Sequence, residues 1–290
     1  MRDASQVVSH VVCHQPDHAR GEKLSDTGHQ RGTWLAGVRF DVRLHGGERP
    51  TRSIEACENV LHHVGGCCHS STSNRMNTIH SRVFSQIYKR GLWGANRASK
   101  YCSGAGSVPE NATDWMHQVV QHVKQHGCAS VADVGCGDLT IALEIMQHTP
   151  DIEYVGYEVF EDLVTQHHEQ HPHLDIRHVD ACDTPELIQS ADVLLVKDVL
   201  QHWQDDQIVS FMDHVTSGGR FKHIIMQNDY HAQRVSGCEY RFDENGKLET
   251  RARSTCRRLN IQLQPLCRYN MHELHRDKQR QIARWSQPVS

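Results

Sequence analysis

The stretch from Ala129 to Glu144 constrains the fold more than any other part of the chain. It begins with a short apolar run, turns on Gly135 and Gly137, and then spaces apolar residues as an amphipathic helix does. Because glycine has no Cβ, such a loop lets the backbone approach a ligand closely, and the free N–H groups of the new helix point toward it. Strand, glycine loop and helix therefore predict a nucleotide-like ligand. The predicted buried face of the helix comprises Leu139, Ala142, Leu143 and Met146.

A dinucleotide-binding loop would carry a third glycine, but Thr140 stands at that position. A nicotinamide-dependent oxidoreductase would share the strand, the loop and the helix. The missing glycine disfavours that class of enzyme. So does the lack of a Tyr-x-x-x-Lys pair near the right place, since Tyr88 and Lys89 are adjacent. An oxidoreductase that uses NAD or NADP thus remains an alternative.

The run from Asp133 to Asp138, D-V-G-C-G-D, resembles motif I of the class I S-adenosylmethionine-dependent methyltransferases. Further matches to a group of small members extend the resemblance over about residues 82–287. It implies a Rossmann-like three-layer α/β fold with a mostly parallel seven-stranded sheet, and S-adenosylmethionine as the cofactor. The further matches are Phe84-x-x-Ile-Tyr88, Trp93-Gly94, Ser103-Gly-x-Gly-Ser107 and Lys197-Asp-Val-Leu-Gln-His202.

The resemblance also implies roles for acids that follow the predicted strands. Glu158 ends the run EYVGYE and would accept hydrogen bonds from both ribose hydroxyls. Asp180 follows the third strand and would meet the adenine amino group, with Val159 and Phe160 beside the ring. The other residues expected on the cofactor side are Asp133, Gly135, Cys136, Gly137, Asp138 and Lys197.

Polar side chains also follow the two strands predicted next, Ala191–Lys197 and Phe221–Met226. Open α/β sheets bind ligands at the carboxyl ends of their strands, so Asp198, His202 and Asp229 are expected beside the methyl acceptor. His202 is the best candidate for a general base because histidine titrates near neutral pH. By resemblance alone, the acceptor is a saccharide or small-molecule hydroxyl.

Two alternatives concern the acceptor side. Asp198 and Asp229 could together bind Mg²⁺, because carboxylate oxygens suit a hard cation and the metal would lower the pKa of an acceptor hydroxyl. The domain could also be a catalytically inactive binding module, which the polar stretch after Tyr230 favours. The intact Asp133 and Glu158 argue against that second alternative.

The amino-terminal part of the chain differs from the rest in composition. Polar residues, glycine and histidine interrupt every apolar run there, and only 38% of the whole chain is hydrophobic. We expect a poorly ordered extension over residues 1–81 and the methyltransferase domain over residues 82–290. The run from His62 to His69 contains histidine and cysteine, but adjacent Cys67 and Cys68 do not give the paired spacing of zinc fingers.

Charge and composition exclude some functions. The net charge of −4 leaves no strong basic field, so nucleic-acid binding is not expected. No apolar run approaches the length of a membrane span, and no secretory leader is evident. The 11 cysteines are odd in number and scattered, which favours reduced thiols and a cytoplasmic location.

The remaining pattern predicts the elements around the sheet. Asn111 or Thr113 is expected to cap a helix that ends near His126. Helices are also predicted over residues 160–171 and 205–215, and a third strand over residues 174–179. A loop over the active site is expected at residues 230–253. An antiparallel pair over residues 259–263 and 280–285 is expected to close the sheet.

Overall fold

The structure is a computed structural model that describes residues 78–94, 100–234, 239–249 and 256–288. Every described residue belongs to one compact unit, Thr72–Ser290. The histidine and cysteine run at 62–69 and nearly all of the predicted extension lie outside the described residues. No helix in the described part is long and apolar enough to cross a membrane.

One seven-stranded sheet organises the described domain. Its strand order is β3-β2-β1-β4-β5-β7-β6, in which β1 to β5 are parallel and β7 runs antiparallel to β5 and β6. This confirms the predicted mostly parallel sheet. The strands are β1 Ser130–Val134, β2 Glu153–Glu158, β3 Asp175–His178, β4 Ala191–Lys197, β5 Phe221–Asp229, β6 His272–Arg276 and β7 Arg280–Ser286.

Helices cover both faces of the sheet, so the domain has the predicted three layers. Side chains of β4 alternate between the two faces: Val193 and Leu195 pack on the side of α2 and α3, whereas Leu194 and Val196 pack on the side of α5. All four are at most 1% exposed, as expected for a central parallel strand. The helices are α1 Ile79–Lys89, α2 Thr113–His126, α3 Thr140–His148, α4 Glu161–Gln170 and α5 Asp205–Thr216.

Two local predictions about helices were wrong. Leu139 adopts a left-handed conformation with φ of 61°, so α3 starts one residue later than expected. The phase of the helix shifts accordingly, and Ile141, Ala142 and Ile145 form its buried face. At the start of α2, the N-cap residue Ala112 makes no side-chain cap. Both predicted caps bond elsewhere: the Asn111 amide donates to the Ala105 carbonyl and the Thr113 hydroxyl donates to Pro109.

Of the two strands predicted to pair and close the sheet, the structure has one where it was expected. β7 lies where expected, but its partner is β6 rather than residues 259–263. Leu259 forms only an isolated bridge with Tyr230, and the Asn260 side chain accepts from the Gln262 amide in a turn that reverses the chain. β6 escaped prediction because its residues, HELHR, give no apolar alternation.

Candidate active site

A cavity of about 360 Å³ lies at the carboxyl ends of β1, β2, β4 and β5. Parallel strands bring their carboxyl ends to one edge, so residues distant in sequence converge there. The cover over this edge consists of α1, Trp93 and the turn at residues 103–107. The predicted site residues that line the cavity are Gly135, Gly137, Glu158, Asp180, Lys197, Asp198, His202 and Asp229.

The glycine loop is packed too closely for side chains. A Cβ at Gly135 would lie 2.5 Å from Val199 Cγ2, and one at Gly137 would overlap Ser103 Oγ. Both glycines also have positive φ, 72° and 59°. From below, buried His167 of α4 contacts the Gly137 carbonyl at 2.7 Å through Nε2. The loop therefore forms a closely packed wall of the cavity.

The backbone N–H groups of the glycine loop itself are bonded inside the protein and do not point freely into the cavity. The amides of Gly135 and Cys136 both donate to the Tyr157 carbonyl, at 2.8 and 3.2 Å. The Gly137 amide donates to Glu158 Oε2 at 3.1 Å. Because the neighbouring strand β2 lies within reach, these donors are satisfied inside the protein. The loop therefore offers close approach rather than free donors.

Glu158 ends β2 at the centre of the cavity floor and is 4% exposed. Besides the bond from Gly137, its Oε1 accepts from the Val159 and Phe160 amides at 2.9 and 3.0 Å. Burial raises the carboxyl pKa to about 7, although these three hydrogen bonds oppose the shift. Since Oε1 already accepts two backbone bonds and Oε2 only one, the acceptor capacity left for a hydroxyl ligand lies mainly on Oε2.

This shifted pKa predicts a pH dependence of cofactor binding. If Glu158 holds the ribose as predicted, we expect S-adenosylhomocysteine to bind about tenfold more tightly at pH 8 than at pH 6, because only the ionised carboxylate can accept hydrogen bonds from the ribose hydroxyls. Stability without ligand runs the other way. A carboxyl pKa raised from 4.5 contributes stability at low pH that is lost as pH rises through about 7.

Calorimetric titrations from pH 6 to pH 8 measure the affinity, and Glu158→Gln is the control for the many histidines. The glutamine variant should bind weakly but without this pH dependence. An unchanged pH slope in the variant would show that another group titrates.

Three other residues of the predicted loop motif lie at a smaller space of about 40 Å³ that shares Gly135, Gly137 and Lys197 with the main cavity. Asp133 accepts from the Tyr154 hydroxyl at 2.7 Å, and burial raises its carboxyl pKa to about 6. The residues lining this space that were predicted on the cofactor side are Asp133, Cys136, Asp138, Gly135, Gly137 and Lys197.

Asp138 and Cys136 both make contacts inside the protein. Asp138 Oδ2 accepts from the Ser103 amide at 2.9 Å, and the Asp138 amide donates to Ser103 Oγ at 2.8 Å. This reciprocal pair fixes the covering turn to the loop. The Cys136 side chain packs over Gly156 of β2, and burial raises its thiol pKa well above the usual value. The thiol is therefore held protonated.

Asp180 anchors α1 over the cavity, a role that the sequence did not indicate. Its Oδ2 accepts from the Thr78 hydroxyl at 2.5 Å and lies 3.3 Å from His80 Nδ1. Burial opposes ionisation, but the contacts with His80 and Thr78 outweigh it and lower the carboxyl pKa. Asp180 and Val159 line the cavity. The Phe160 ring instead stacks on Tyr88 at 5.1 Å and is 2% exposed, so it packs beneath the cover.

Lys197 and Asp198 form one polar unit at the end of β4. The Lys197 ammonium lies 2.6 Å from Asp198 Oδ2 and donates to the Gly106 carbonyl at 2.8 Å. Asp198 has a positive φ of 57°, which turns the chain sharply after the strand. Lys197 therefore connects the strand end to the covering turn, and its charge compensates Asp198.

His202 and Asp229 border the same cavity from different elements. His202 lies on a short 3₁₀ helix, Leu200–His202, is 6% exposed and packs against the rings of Phe84 and Trp93 at 5.3 and 5.8 Å. Asp229 ends β5, where burial and the negative charge of Asp198 raise its carboxyl pKa. Both the imidazole and the carboxylate are positioned as predicted at the carboxyl edge.

Magnesium is not supported by this arrangement. Asp198 is already paired with the Lys197 ammonium. Within residues 78–94, 100–234, 239–249 and 256–288, the groups of three metal-ligating side chains that lie close together include neither Asp198 nor Asp229. The sequence suggested a metal as an alternative because it places both carboxylates at strand ends, but it does not show that the Lys197 ammonium turns back to pair with Asp198.

Sequence reasoning missed several residues of the site. His80 and Trp93 line the cavity from the cover, and Arg280 lines it from the start of β7. The Arg280 guanidinium bonds to the Asn111 carbonyl and lies opposite Asp229 in the β5–β7 register. Knowledge of that register would have placed Arg280 here, but it depends on a strand pair that the sequence only partly indicates.

Comparisons with known proteins found one family match and several similar solved structures. Residues 132–221 match a family described as a methyltransferase domain. The magnesium protoporphyrin IX methyltransferase of Synechocystis PCC 6803 has 12% identity and a TM-score of 0.46, covering 73% of this chain and 99% of its own. The amino-terminal domain of EvdMO1 has 13% identity and a TM-score of 0.46, covering 67% and 90%.

The mitomycin 7-O-methyltransferase MmcR has 15% identity and a TM-score of 0.43; the alignment covers 60% of this chain and 54% of that one. No curated protein sequence matches significantly. The family match covers the glycine loop, Glu158 and the strand that ends in Lys197. Together with the D-V-G-C-G-D motif and the mostly parallel sheet, it identifies a class I S-adenosylmethionine-dependent methyltransferase domain in this chain.

Proposed function

We propose that the domain transfers the methyl group of S-adenosylmethionine to a hydroxyl oxygen of a small-molecule or saccharide acceptor. The observation that carries this proposal is the position of His202 and Asp229 in the same enclosed cavity as the glycine loop and Glu158. One end of the cavity suits the cofactor, and the other presents two groups able to take a proton.

We assign the cofactor by the groups on the floor of the cavity. The Glu158 carboxylate holds the ribose, and Asp180 with Val159 borders the adenine. The methionine part lies over Gly135 and Gly137, toward the smaller space. Asp133, Cys136 and Asp138 shape that space, and Lys197 borders both spaces. An anionic Asp133 beside it complements the positively charged amino group of the cofactor.

The reaction is an in-line displacement. The acceptor oxygen forms a bond to the methyl carbon, the carbon–sulfur bond breaks, and its electron pair returns to sulfur, which becomes neutral. Alignment of oxygen, carbon and sulfur supplies most of the rate, roughly 7–11 kcal/mol in favourable cases. The hydroxyl proton passes to His202. Asp229 is the second candidate for the general base, because a carboxylate with a raised pKa accepts a proton more readily than an ordinary carboxylate does.

The shape of the site favours an acceptor of small size. Its volume of about 360 Å³ must hold both substrates beneath α1 and the covering turn. Trp93 and Trp203 contribute aromatic walls to the cavity, and Arg280 lines it as well. Such walls suit a ring with an apolar face and a few hydroxyls, as in a phenol or a saccharide.

Substitution on the acceptor side should separate catalysis from cofactor binding. We expect His202→Gln to lower kcat by about 10²–10⁴-fold and Asp229→Asn to lower it less, because proton transfer contributes that much. Affinity for S-adenosylhomocysteine should change less than about twofold, since neither group faces the glycine loop. Exposed His148→Gln is the matched control for the histidine change.

The measurement is release of S-adenosylhomocysteine from S-adenosylmethionine, with a panel of phenols and sugars as acceptors. Equal loss of cofactor affinity and of kcat would contradict the assignment. Tight S-adenosylhomocysteine binding with no turnover on any acceptor would favour the alternative of a catalytically inactive binding domain.

Two predictions from the sequence complete this proposal. We divide the chain into an extension over residues 1–81 and a methyltransferase domain over residues 82–290. Thr78 and His80 contact Asp180 at the start of α1, so the last residues before this boundary belong with the domain. We also place the protein in the cytoplasm, where the thiols of Cys128, Cys136 and Cys182 would stay reduced.

A further inference from the structure

A second cluster of reactive side chains lies at the opposite edge of the sheet from the cavity. His122 belongs to the last turn of α2, Cys128 follows that helix, and His223 is the third residue of β5. The far end of β5, Asp229, borders the cavity about 20 Å away at the usual rise per residue. This cluster is therefore separate from the methyl-transfer site.

The chain is folded so that these three side chains converge. Left-handed Gly127 ends α2, and the Cys128 amide then donates to the Val123 carbonyl at 3.0 Å, which turns the cysteine back toward the helix. One ligand atom each from His122, Cys128 and His223 lies within 4.8 Å of the other two. The His122 and His223 rings are 4.4 Å apart between centroids, at 80° to each other.

The cluster has no ordinary explanation as a hydrogen-bonded core. His122 is 4% exposed, and its Nε2 is buried with no hydrogen-bond partner. An unpartnered buried polar atom is unfavourable by about 1–3 kcal/mol, and a bound cation would satisfy it. A neutral imidazole has one ring nitrogen with a free lone pair, which is the form in which histidine binds a metal.

A bond outside the cluster orients another of its rings. His223 Nδ1 contacts Ser286 Oγ at 3.0 Å, which leaves the second ring nitrogen for another partner. Ligating histidines in proteins are typically held in this way by a polar group behind them. Exposed His126 has its ring 4.2 Å from His122 and 4.7 Å from His223, and so lies at the open side of the cluster.

We propose that His122, Cys128 and His223 bind a divalent transition-metal ion of the Zn²⁺ class, with His126 at the open fourth position. Nitrogen and sulfur donors in a four-coordinate shell are the set that zinc prefers. On binding, the Cys128 thiol loses its proton to solvent and its sulfur bonds the metal. The ligand atoms need to move inward by roughly an ångström to reach zinc bond lengths.

The charged groups around the cluster cancel one another once the Cys128 thiolate has formed. Arg284 and Lys222 oppose a cation, since Arg284 lowers the pKa of His122 and both lower that of His223. Lys222 is itself paired with Asp192 at 2.7 Å, and the Cys128 thiolate formed on binding supplies a further negative charge. The metal would join the end of α2 to the start of β5 and so stabilise the domain.

The test uses cobalt, whose bonds to thiolate sulfur give a distinctive ultraviolet absorption. The starting protein is the full chain with Cys67→Ser and Cys68→Ser, which removes the other histidine and cysteine run from the measurement. After chelation and dialysis, we expect one Co²⁺ per chain with thiolate absorption. Cys128→Ser should abolish that absorption, whereas the matched change at exposed Cys267→Ser should leave it intact.

Zinc should also raise the melting temperature of the same protein by about 5–10 °C at 100 times its dissociation constant. Cobalt absorption that is equal in the Cys128→Ser and Cys267→Ser proteins would overturn the proposal. So would the absence of cobalt binding in the starting protein.

A second measurement needs no change at the cluster and so does not depend on whether a variant folds. Alkylation by iodoacetamide, mapped by mass spectrometry, should be at least tenfold slower at Cys128 with Zn²⁺ present than without it. Cys267 in the same sample is the internal control and should react equally in both conditions. Equal reactivity of Cys128 with and without zinc would overturn the proposal. Affinity for S-adenosylhomocysteine should be unchanged throughout, so this result is independent of the methyltransferase assignment.

Discussion

Replacing Glu158 with glutamine is expected to weaken S-adenosylhomocysteine binding about 100-fold or more. The carboxylate accepts from the amides of Gly137 and Phe160 and, in our proposal, from both ribose hydroxyls. A glutamine of the same shape must turn its NH₂ group toward one of these backbone donors, whichever way it is placed. Loss of two charge-assisted bonds of about 1.5–3 kcal/mol each gives this magnitude.

Calorimetric titration of the purified variant measures the effect. Glu169→Gln on the exposed surface of α4 is the matched control and should bind as the wild type does. Far-ultraviolet circular dichroism confirms that each variant is folded. If the Glu158→Gln protein bound S-adenosylhomocysteine within about threefold of the wild type, the ribose assignment would be wrong.

The second large effect is expected at Gly137. An alanine there would overlap Ser103 Oγ and approach Ser103 Cβ to 3.1 Å. Ser103 cannot retreat without breaking its two bonds to Asp138, of which each contributes about 1 kcal/mol. The covering turn would therefore lift from the loop, and we expect at least tenfold weaker S-adenosylhomocysteine binding in Gly137→Ala.

Gly127 provides the matched control for this prediction. It has the same φ of 59°, but nothing lies within 4 Å of the position a Cβ would take. Both variants incur about 1–2 kcal/mol for a left-handed alanine, so a difference between them reports the contact with Ser103. Equal affinities in the two variants would contradict the role of the covering turn. Partial recovery in Gly137→Ala with Ser103→Ala would support it.

The parallel part of the fold was predictable because its signals are local. A few consecutive residues are enough to predict the strand–glycine–helix stretch and the apolar strand β4. β6 was not predictable, since a polar strand at the sheet edge buries little and leaves no alternation in the sequence. Its partner β7 was found because Ile282 and Ala283 are buried.

Side chains of the site could be placed at the correct edge from sequence, but their partners could not. Glu158 and Asp229 could be placed because each ends a strand. The rule that ligands bind at the carboxyl ends of parallel strands depends only on topology. The pairing of Asp180 with Thr78 and His80 joins segments about 100 residues apart, and that of Ser103 with Asp138 joins segments 35 residues apart. No local pattern indicates such contacts, so the bonds that hold the cover over the cavity could be identified only in the structure.

The most direct test of the central claim is calorimetric titration of the full-length protein with S-adenosylhomocysteine, with NAD and NADP titrated in parallel. The fold, the loop motif and Glu158 predict binding of S-adenosylhomocysteine in the micromolar range and no binding of either nicotinamide cofactor. Binding of NAD or NADP without binding of S-adenosylhomocysteine would contradict the methyltransferase account.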